Sequence, residues 1–274
     1  MDMRQALEFS TCTDPGMVRS NNEDSIAADP VIGLAVLADG MGGYNAGEVA
    51  SGMATTLITT EVAQILQRVN PSDIDPTTKK VVAESLLLEQ VLKANSSIFQ
   101  AAESQPQYAG MGTTLVVCLF YDNKMMVAHI GDSRLYMMRD GKFSQVTRDH
   151  SLLQEQLDAG LITPEQALTA QHKNLVTRAM GIDATVEPEI HEYKTNPGDI
   201  YLLCSDGMSD MVEDEDMGMT LSMLGANLKL AAQQLVQMAN DNGGRDNVSV
   251  ILVRVVKEYP AARGVMAKVF GWLK

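Results

Sequence analysis

Short apolar runs alternate with longer amphipathic stretches along this chain of 274 residues. Residues 7 to 13 (LEFSTCT) and 31 to 38 (VIGLAVLA) are rich in β-forming side chains and bounded by Asp, Pro or Gly, so they predict strands. The second run is apolar throughout, which indicates burial on both faces. In residues 46 to 69 and 77 to 103 the apolar positions recur three and four apart, and this spacing predicts two long amphipathic helices.

The second half of the chain predicts more strands. Residues 112 to 147 hold four apolar runs separated by Asn-Lys, Asp-Ser and Asp-Gly, which indicates a meander of antiparallel strands. Three further strands are predicted at residues 185 to 194, 199 to 205 and 247 to 256, and one helix is predicted at about 226 to 242. Because strands and helices come in runs without regular βαβ units, the pattern predicts an α+β protein built in layers.

Two segments differ from this pattern. Residues 148 to 183 are predicted to be a small helical insertion, a flap between strands, in which Thr163, Pro164 and Gln166 have the N-cap, first and third positions of a helix. Residues 259 to 274 follow the last strand and place their apolar side chains on one helical face. We therefore expect a domain over residues 1 to 258 and an amphipathic tail that docks back onto it or contacts a membrane surface or partner.

Charge and composition exclude several classes of protein. The chain has 35 Asp and Glu against 21 Lys and Arg, a net charge of −14, whereas nucleic-acid binders present a basic face. Its 45% hydrophobic residues are typical of one large globular domain or two small ones. No apolar run approaches the roughly 20 residues of a membrane span, and the opening residues lack a signal-peptide layout. Cys12, Cys118 and Cys204 are predicted to be reduced core thiols of a cytoplasmic protein.

Four carboxylates stand where an apolar strand meets a turn: Asp39, Asp132, Asp206 and Asp246. Each alone has an ordinary explanation, because Asp is common in turns. Four together indicate a site, since strand ends converge on one rim and crowded acids repel one another unless a cation neutralises them. Oxygen ligands select magnesium, manganese or calcium. Arg19 precedes the acid pair Glu23 and Asp24. Beside a metal-binding cluster, an arginine is suited to bind a phosphate through two hydrogen bonds, whereas an isolated arginine forms a surface ion pair.

Seven motifs follow one another between residues 7 and 256: TDPGMVRSNNEDS, LADGMGG, the Gly-Thr-Thr of MGTTLVVCLF, HIGDSRLY, TRDHS, LLCSDGMSD and GRDNVSVILV. This series is similar to the metal-dependent protein phosphatase family, type 2C. The resemblance implies an α+β fold, a four-layer α-β-β-α sandwich of two antiparallel sheets flanked by helix pairs. It also implies a protein serine/threonine phosphatase. Met41 follows Asp39 and Gly40 as in bacterial members, whereas many eukaryotic members carry His there.

The resemblance further implies a binuclear metal centre. Asp39 would bridge two manganese or magnesium ions. Asp206 and Asp246 would complete one site, and Glu23 with the carbonyl oxygen of Gly40 would complete the other. The chemistry implied by this centre is attack on phosphorus by a hydroxide that bridges the two metals, without a phosphoenzyme.

Three more residues receive roles from the resemblance. Asp24 would lie beside the metal ions and hold water or support their ligands. Asp132, together with Asp206, would form a third, weaker metal site as in bacterial relatives. Arg19 would bind the substrate phosphate.

Other phosphatase chemistries do not fit the sequence. A cysteine phosphatase needs Cys and Arg separated by five residues, which none of the three cysteines provides. An aspartyl-phosphate hydrolase needs an Asp two residues before the Asp of an Asp-Gly pair, but Leu37 and Cys204 stand there. Calcineurin-like enzymes need several His ligands. His129 is interpreted as a packing residue, and the remaining histidines are interpreted as surface or flap residues: His150, His172 and His191.

Two alternatives to an enzyme remain open from the sequence. One is a catalytically silent scaffold that binds phosphoproteins, and the other is a calcium-binding module, for which the acidic run 210 to 216 is a minor candidate. The expected partners are phosphorylated proteins, including a Ser/Thr kinase whose action the enzyme opposes, and no nucleic acid. The protein is expected to be a cytoplasmic monomer.

Overall fold

Two antiparallel sheets form the centre of the structure, a computed structural model that describes residues 2–43, 46–163, 166–167 and 175–261. The first sheet contains, in spatial order, β1 (Leu7–Asp14), β11 (Val248–Val255), β10 (Ile200–Cys204), β7 (Arg134–Arg139) and β8 (Lys142–Gln145). The second contains β2 (Asp24–Asp29), β3 (Leu34–Met41), β5 (Leu115–Tyr121), β6 (Lys124–Ile130) and β9 (Glu189–Lys194), with the short β4 (Gly112–Thr113) paired to β3.

Helices cover the outer faces of both sheets. The helices of the described residues are, in chain order, α1 (Ala46–Ile65), α2 (Val82–Ser104), α3 (Leu152–Asp158), α4 (Asp206–Ser209), α5 (Asp214–Leu224) and α6 (Leu228–Asp241). Of these, α3 belongs to the insertion and has no buried residue. One apolar cluster joins α1 and α2 to the second sheet, another joins α5 and α6 to the first, and a third lies between the sheets. The predicted α+β sandwich of four layers is therefore confirmed.

The apolar run of β3 has the burial that its sequence predicts. Leu34, Val36 and Ala38 belong to the cluster under α1 and α2, and Ala35 and Leu37 to the cluster between the sheets. All five are fully buried. A strand that is covered on both faces needs an apolar residue at every position, which explains the absence of alternation.

Several element boundaries differ from the prediction. Strand β2 was not predicted, because apolar and polar residues do not alternate clearly in its sequence DSIAAD. Residues 31 to 33, expected to begin a strand, form a turn in which the Asp29 side chain accepts the N–H of Val31. Helix α2 begins at Val82 rather than at residue 77, because the carboxylate of Asp75 accepts the N–H groups of Thr77 and Thr78 and turns the chain first.

The predicted meander over residues 112 to 147 is wrong as a single unit. The turn at Asp122 and Asn123 and the turn at Asp140 and Gly141 have both central residues at positive φ, as two-residue hairpins require. The chain nevertheless changes sheet at residues 131 to 133, so β5 and β6 form a hairpin in one sheet, and β7 and β8 form a hairpin in the other.

The described part of the insertion contains α3, capped by Ser151. Thr163 and Gln166 exchange hydrogen bonds between side chain and main chain as a capping box does, whereas Pro164 lies outside the described residues. The tail prediction concerns residues 262 to 274, which also lie outside them. Tyr259 begins the predicted tail; it is 1% exposed and its hydroxyl bonds to Thr195, so the first residue of the tail packs against the domain. None of the described helices is long and apolar enough to cross a bilayer.

Candidate active site

Four of the predicted acids meet at one end of the sandwich, where strand ends of the two sheets lie close together. Asp24 and Asp39 are direct cross-strand partners in β2 and β3. Asp206 opens α4 immediately after β10, and Asp246 lies two residues before β11. Since β10 and β11 are neighbours in the first sheet and β2 and β3 in the second, acids that are distant in sequence face one another across the sandwich.

Hydrogen bonds across the sandwich hold these acids in place. The Oγ of Ser205 donates to Oδ2 of Asp24 over 2.8 Å and accepts the N–H of Ser249 over 3.0 Å. The Oδ1 of Asn247 accepts the N–H of Glu23 over 2.8 Å. Its Nδ2 donates to the carbonyl oxygens of Pro15 and Asn21. Asn247 therefore fastens the N-terminal loop that carries Glu23 to the start of β11, a role that its sequence position did not reveal.

Gly40 and Gly207 follow Asp39 and Asp206 directly, and each lies in close contact with the backbone of a neighbouring segment. A Cβ on Gly40 would lie 2.1 Å from the carbonyl oxygen of Gly47, and a Cβ on Gly207 would lie 2.1 Å from that of Asn247. Neither glycine has a positive φ. The Asp-Gly pairs at 39–40 and 206–207 are thus close-packing sites and not turn pairs, because no side chain fits between the strand end and its neighbour.

Crowding changes the acidity of the cluster. Burial, and then the charges of Asp24 and Asp206, raise the pKa of Asp39 well above its usual range. Burial likewise raises the pKa of Asp206 to about 8 and those of Asp24 and Asp132 to about 6. The pKa of Glu23 is raised by burial, while Arg19 opposes this increase. Such a cluster is stable as a set of carboxylates only beside positive charge.

The residues present fit hard cations. All the candidate ligand atoms are carboxylate or carbonyl oxygens, which magnesium and manganese prefer. Oδ1 of Asp24 is buried and has no hydrogen-bond partner among the described residues, although a buried carboxylate oxygen needs one. A cation or the water that it carries would satisfy this atom.

Arg19 lies at the rim of the cluster. Its side chain is 53% exposed, and Nη2 is 2.7 Å from Oδ2 of Asp246. An exposed arginine beside a group of acids is available to an incoming anion as well as to its neighbours. The structure therefore places Arg19 beside the acids, with its side chain open to solvent.

Asp132 reaches the same region from a different part of the chain. It follows β6, is 8% exposed, and lines a cleft of about 710 Å³ together with Asp206 and Asp246. The cleft also contains Asp149, whose carboxylate is held by Arg134. It runs beside α3, so the described part of the insertion forms one wall of the site.

Met41 lies on another side of the cluster. It ends β3 and pairs with Gly112 in β4. Its side chain lines a smaller cavity of about 210 Å³ with Thr177 and Ile182, and not the cleft that contains Asp132 and Asp206.

His150 belongs to the predicted flap segment, but it is not a surface residue. It is 6% exposed and its ring stacks on that of His129. Strand β9 also brings Glu189 to the pair, a partner that no local spacing could indicate. His129 is buried as expected, His191 is exposed, and His172 lies outside the described residues.

The cysteines have the predicted character of packing residues. None of the three forms a disulfide. Cys118 and Cys204 are buried within strands, and burial raises the pKa of the Cys204 thiol to about 12. The acidic run after Asp210 opens α5, and Asp214 there accepts a hydrogen bond from the hydroxyl of Tyr136.

Buried oxygen ligands at the strand ends of two packed sheets, with an arginine at the rim, define a centre for hard divalent cations. The family model of protein phosphatase 2C matches residues 18–251. The chain belongs to the protein phosphatase 2C family.

Relatives with assigned names agree with this membership. The serine/threonine protein phosphatase PstP of Mycobacterium tuberculosis is 38% identical over 263 residues, which are 95% of this chain and 48% of that protein. This chain thus spans about half the length of PstP. The serine/threonine phosphatase stp of Listeria monocytogenes is 34% identical over 247 residues, which are 88% of this chain and 93% of that protein.

Solved structures share the fold. The crystal structure of the Mycobacterium tuberculosis phosphatase PstP has a TM-score of 0.82 at 38% identity and covers 91% of this chain and 99% of that chain. A structure of the PstP catalytic domain in complex with two manganese ions has a TM-score of 0.78, also at 38% identity, with 92% and 99% covered.

Proposed function

We propose that this protein is a manganese- or magnesium-dependent protein phosphatase that hydrolyses phosphoserine and phosphothreonine in proteins. The observation that carries the proposal is the meeting of Asp24, Asp39, Asp206 and Asp246 at one end of the sandwich, with Arg19 at the rim. Burial raises the pKa of Asp39 and of Asp206 there. The names of the relatives, which are serine/threonine phosphatases, support the substrate class.

Seven residues are proposed to make up the metal centre, six of them as ligands. Asp39 would be a ligand of both principal ions; Asp206 and Asp246 would complete one site, and Glu23 with the carbonyl oxygen of Gly40 would complete the other. Asp24, with its unpartnered buried oxygen, holds water or supports these ligands. Asp132 and Asp206 line the same cleft, and together they would hold a third, weaker ion. The binding of two manganese ions by the PstP catalytic domain supports the number of principal sites.

The protein's own side chains bind and orient the substrate. Arg19 receives the phosphate, because a guanidinium matches two phosphoryl oxygens at once. Bound cations lower the pKa of a water molecule and neutralise the charge of the transferring phosphoryl group. Cys118 and Cys204 lie inside strands, so neither is placed to form a phosphoenzyme. The proton for the leaving alkoxide must come from water or another side chain, because the thioether of Met41 cannot donate one.

The scaffold alternative is disfavoured because the whole set of candidate ligands is present and meets in space. We propose that the substrates include a Ser/Thr kinase that the phosphatase opposes. The phosphatase is proposed to act as a cytoplasmic monomer with a catalytic domain over residues 1 to 258 and a tail over residues 259 to 274. The flap at residues 148 to 183 is proposed to influence substrate choice, since α3 lines the cleft.

Arg19 variants test this function on a phosphothreonine peptide with added Mn²⁺. The wild-type chain should release phosphate and lose this activity with a chelator. Arg19→Ala should lower kcat/KM by about 10- to 100-fold, mainly by raising KM. The kcat/KM of Arg19→Lys should be intermediate, because lysine keeps the charge but not the planar guanidinium that binds two oxygens. The bound metal content should not change.

Arg4→Ala is the matched control, because Arg4 is also an exposed arginine paired with a carboxylate, that of Asp2. It should behave as the wild type. Peptide binding without any turnover in the metal-loaded wild type would contradict the enzyme and favour the scaffold, and loss of metal from Arg19→Ala would contradict the role of Arg19.

Met41→Ala should change kcat by less than about threefold on the same peptide. Met41 has no ionisable group and lines a cavity separate from the cleft, so it supplies neither charge nor a proton. Steady-state kinetics at saturating Mn²⁺ check this. A loss as large as that of an acid in the cluster would show that Met41 has a catalytic part.

A further inference from the structure

The turn that carries Asp132 is fastened to His150. The main-chain N–H of His150 donates to the carbonyl oxygen of Gly131 over 2.9 Å, and the N–H of Gly131 faces Nδ1 of His150 at 3.3 Å. Gly131 has a φ of +97°, and a Cβ at this position would lie 2.7 Å from Cγ2 of Thr114. His150, which lies 19 positions further along the chain, thus binds both the N–H and the carbonyl group of the residue directly before Asp132. Only glycine fits that position without strain.

A second set of contacts holds the ring of His150 itself. Its Nε2 lies 3.4 Å from Oε2 of Glu189 on β9, and its ring stacks on that of His129 at a centroid distance of 4.7 Å. Nε2 of His129 is 2.9 Å from the carbonyl oxygen of Arg148, and the other oxygen of Glu189 accepts from His191. The ring orientation is therefore fixed by groups on three different segments.

His129, His150 and Glu189 also have the ligand types of a zinc site, and their atoms lie within 4.8 Å of one another. The surrounding hydrogen bonds do not suit a metal. A metal-binding histidine donates its second ring N–H to an acceptor, but Nδ1 of His150 faces a donor. Nε2 of His129 already faces a carbonyl oxygen. Burial lowers the pKa of both rings, which agrees with two neutral, stacked imidazoles. The cluster is a hydrogen-bond network and not a cation site.

We propose that His150 is a positioning residue: its paired hydrogen bonds with Gly131 fix the turn that directs Asp132 into the cleft. The same histidine immediately precedes Ser151, the cap of α3, so it ties the wall of the cleft to the acid. The proposal rests on the proposed function in one respect, namely that Asp132 holds a cation. It assigns a role to the TRDHS motif, which the mechanism otherwise leaves unused.

Two substitutions separate the contacts of His150. In His150→Asn the amide occupies the position of Nδ1 and can present its oxygen to the N–H of Gly131, while the contact with Glu189 is lost. In His150→Gln the amide occupies the position of Nε2, so it can reach Glu189 but leaves Gly131 without an acceptor. His191→Gln is the matched control, because His191 contacts the same Glu189 from the exposed side without touching the turn.

The first measurement is amide hydrogen exchange of residues 131 to 133 in the metal-free full chain. His150→Gln should accelerate exchange at Gly131 by at least about 10-fold, the effect of losing one buried hydrogen bond of about 1.4 kcal/mol. His150→Asn and His191→Gln should stay within about threefold of the wild type. This readout needs neither metal nor substrate, so it tests the positioning role separately from the phosphatase.

The second measurement is Mn²⁺ binding, followed by the electron paramagnetic resonance signal of free Mn²⁺. His150→Gln should raise the dissociation constant of the weakest site by about 10-fold, as loss of a supporting hydrogen bond does, and His150→Asn should restore it. Equal damage in both variants, or unchanged exchange and binding in His150→Gln, would overturn the proposal. Altered exchange at Gly131 with no weak Mn²⁺ site even in the wild type would instead refute the role of Asp132.

Discussion

Replacing Asp39 by Asn is expected to lower kcat on a phosphothreonine peptide by at least about 100-fold at saturating Mn²⁺, the scale of a lost electrostatic stabiliser. Burial, and then the charges of Asp24, Asp206, Asp132 and Asp246, raise the pKa of Asp39, which places it at the centre of the cluster. Asn keeps the shape but supplies a neutral amide, so a ligand shared by two cations would lose its charge. Single-turnover and steady-state kinetics measure this effect.

Asp29→Asn is the control for this substitution. Asp29 lies at the other end of β2 from Asp24, and its Oδ1 accepts the N–H of Val31, which an amide oxygen can also do. Its kcat should remain within about twofold of the wild type. Full activity in Asp39→Asn would contradict the binuclear centre, since no other described acid has the same position between the two sheets.

The second expected result concerns stability without metal. A carboxyl whose pKa is raised in the folded state stabilises the fold fully below its unfolded pKa near 3.8, and this stability is lost as the pH rises through the folded pKa. For Asp206, with a folded pKa of about 8, the loss extends to about pH 8. The Tm of the metal-free protein should therefore fall by roughly 5 °C or more between pH 6.5 and pH 8, since about 1 kcal/mol shifts a domain of this size by about 2–4 °C.

Mn²⁺ should reverse this trend. The difference between the Tm with Mn²⁺ and the Tm with chelator should increase from pH 6.5 to pH 8, because cations bind the ionised carboxylates. His129 and His150 have lowered pKa values, so they reduce the stability of the fold at more acidic pH. This reduction is the same with Mn²⁺ and with chelator, so it does not affect the difference between the two Tm values. Differential scanning calorimetry at several pH values measures both melting temperatures.

Asp39→Asn should melt at a different temperature from the wild type at pH 8, and the sign of this difference should change when Mn²⁺ is added. Without metal it should melt above the wild type, because one of the repelling acids is gone, and with Mn²⁺ it should melt below the wild type. A metal-free wild type with constant Tm across this pH range would show that the acids do not interact as their burial implies.

The sequence predicts those features that depend on local pattern. Continuous apolar residues in β3 predict burial on two faces, and the Asp-Gly pair at 140–141 predicts a hairpin, as the structure has them. The acids at strand ends could be selected because each interrupts an apolar run. Their family order then implied which of them act together, before any geometry was known.

What the sequence could not predict depends on contacts between distant segments. The sequence does not indicate that the chain changes sheet after Ile130, because β6 and β7 have similar apolar patterns although they pair with strands of different sheets. The burial of His150 depends on Glu189 and His129, which come from other strands. Asn247 likewise acquires its role only when its amide meets Glu23 and the N-terminal loop.

We propose that the acids at the strand ends bind two cations and that the resulting centre hydrolyses phosphorylated protein. The most direct measurement is a titration of the metal-free full chain with Mn²⁺, in which bound Mn²⁺ and phosphate release from a phosphothreonine peptide are followed in the same samples. We expect phosphate release to increase as the ions bind, to approach its maximum when two are bound per chain, and to stop when chelator removes them. Release that continues without metal, or a chain that binds two ions and releases no phosphate, would contradict the claim.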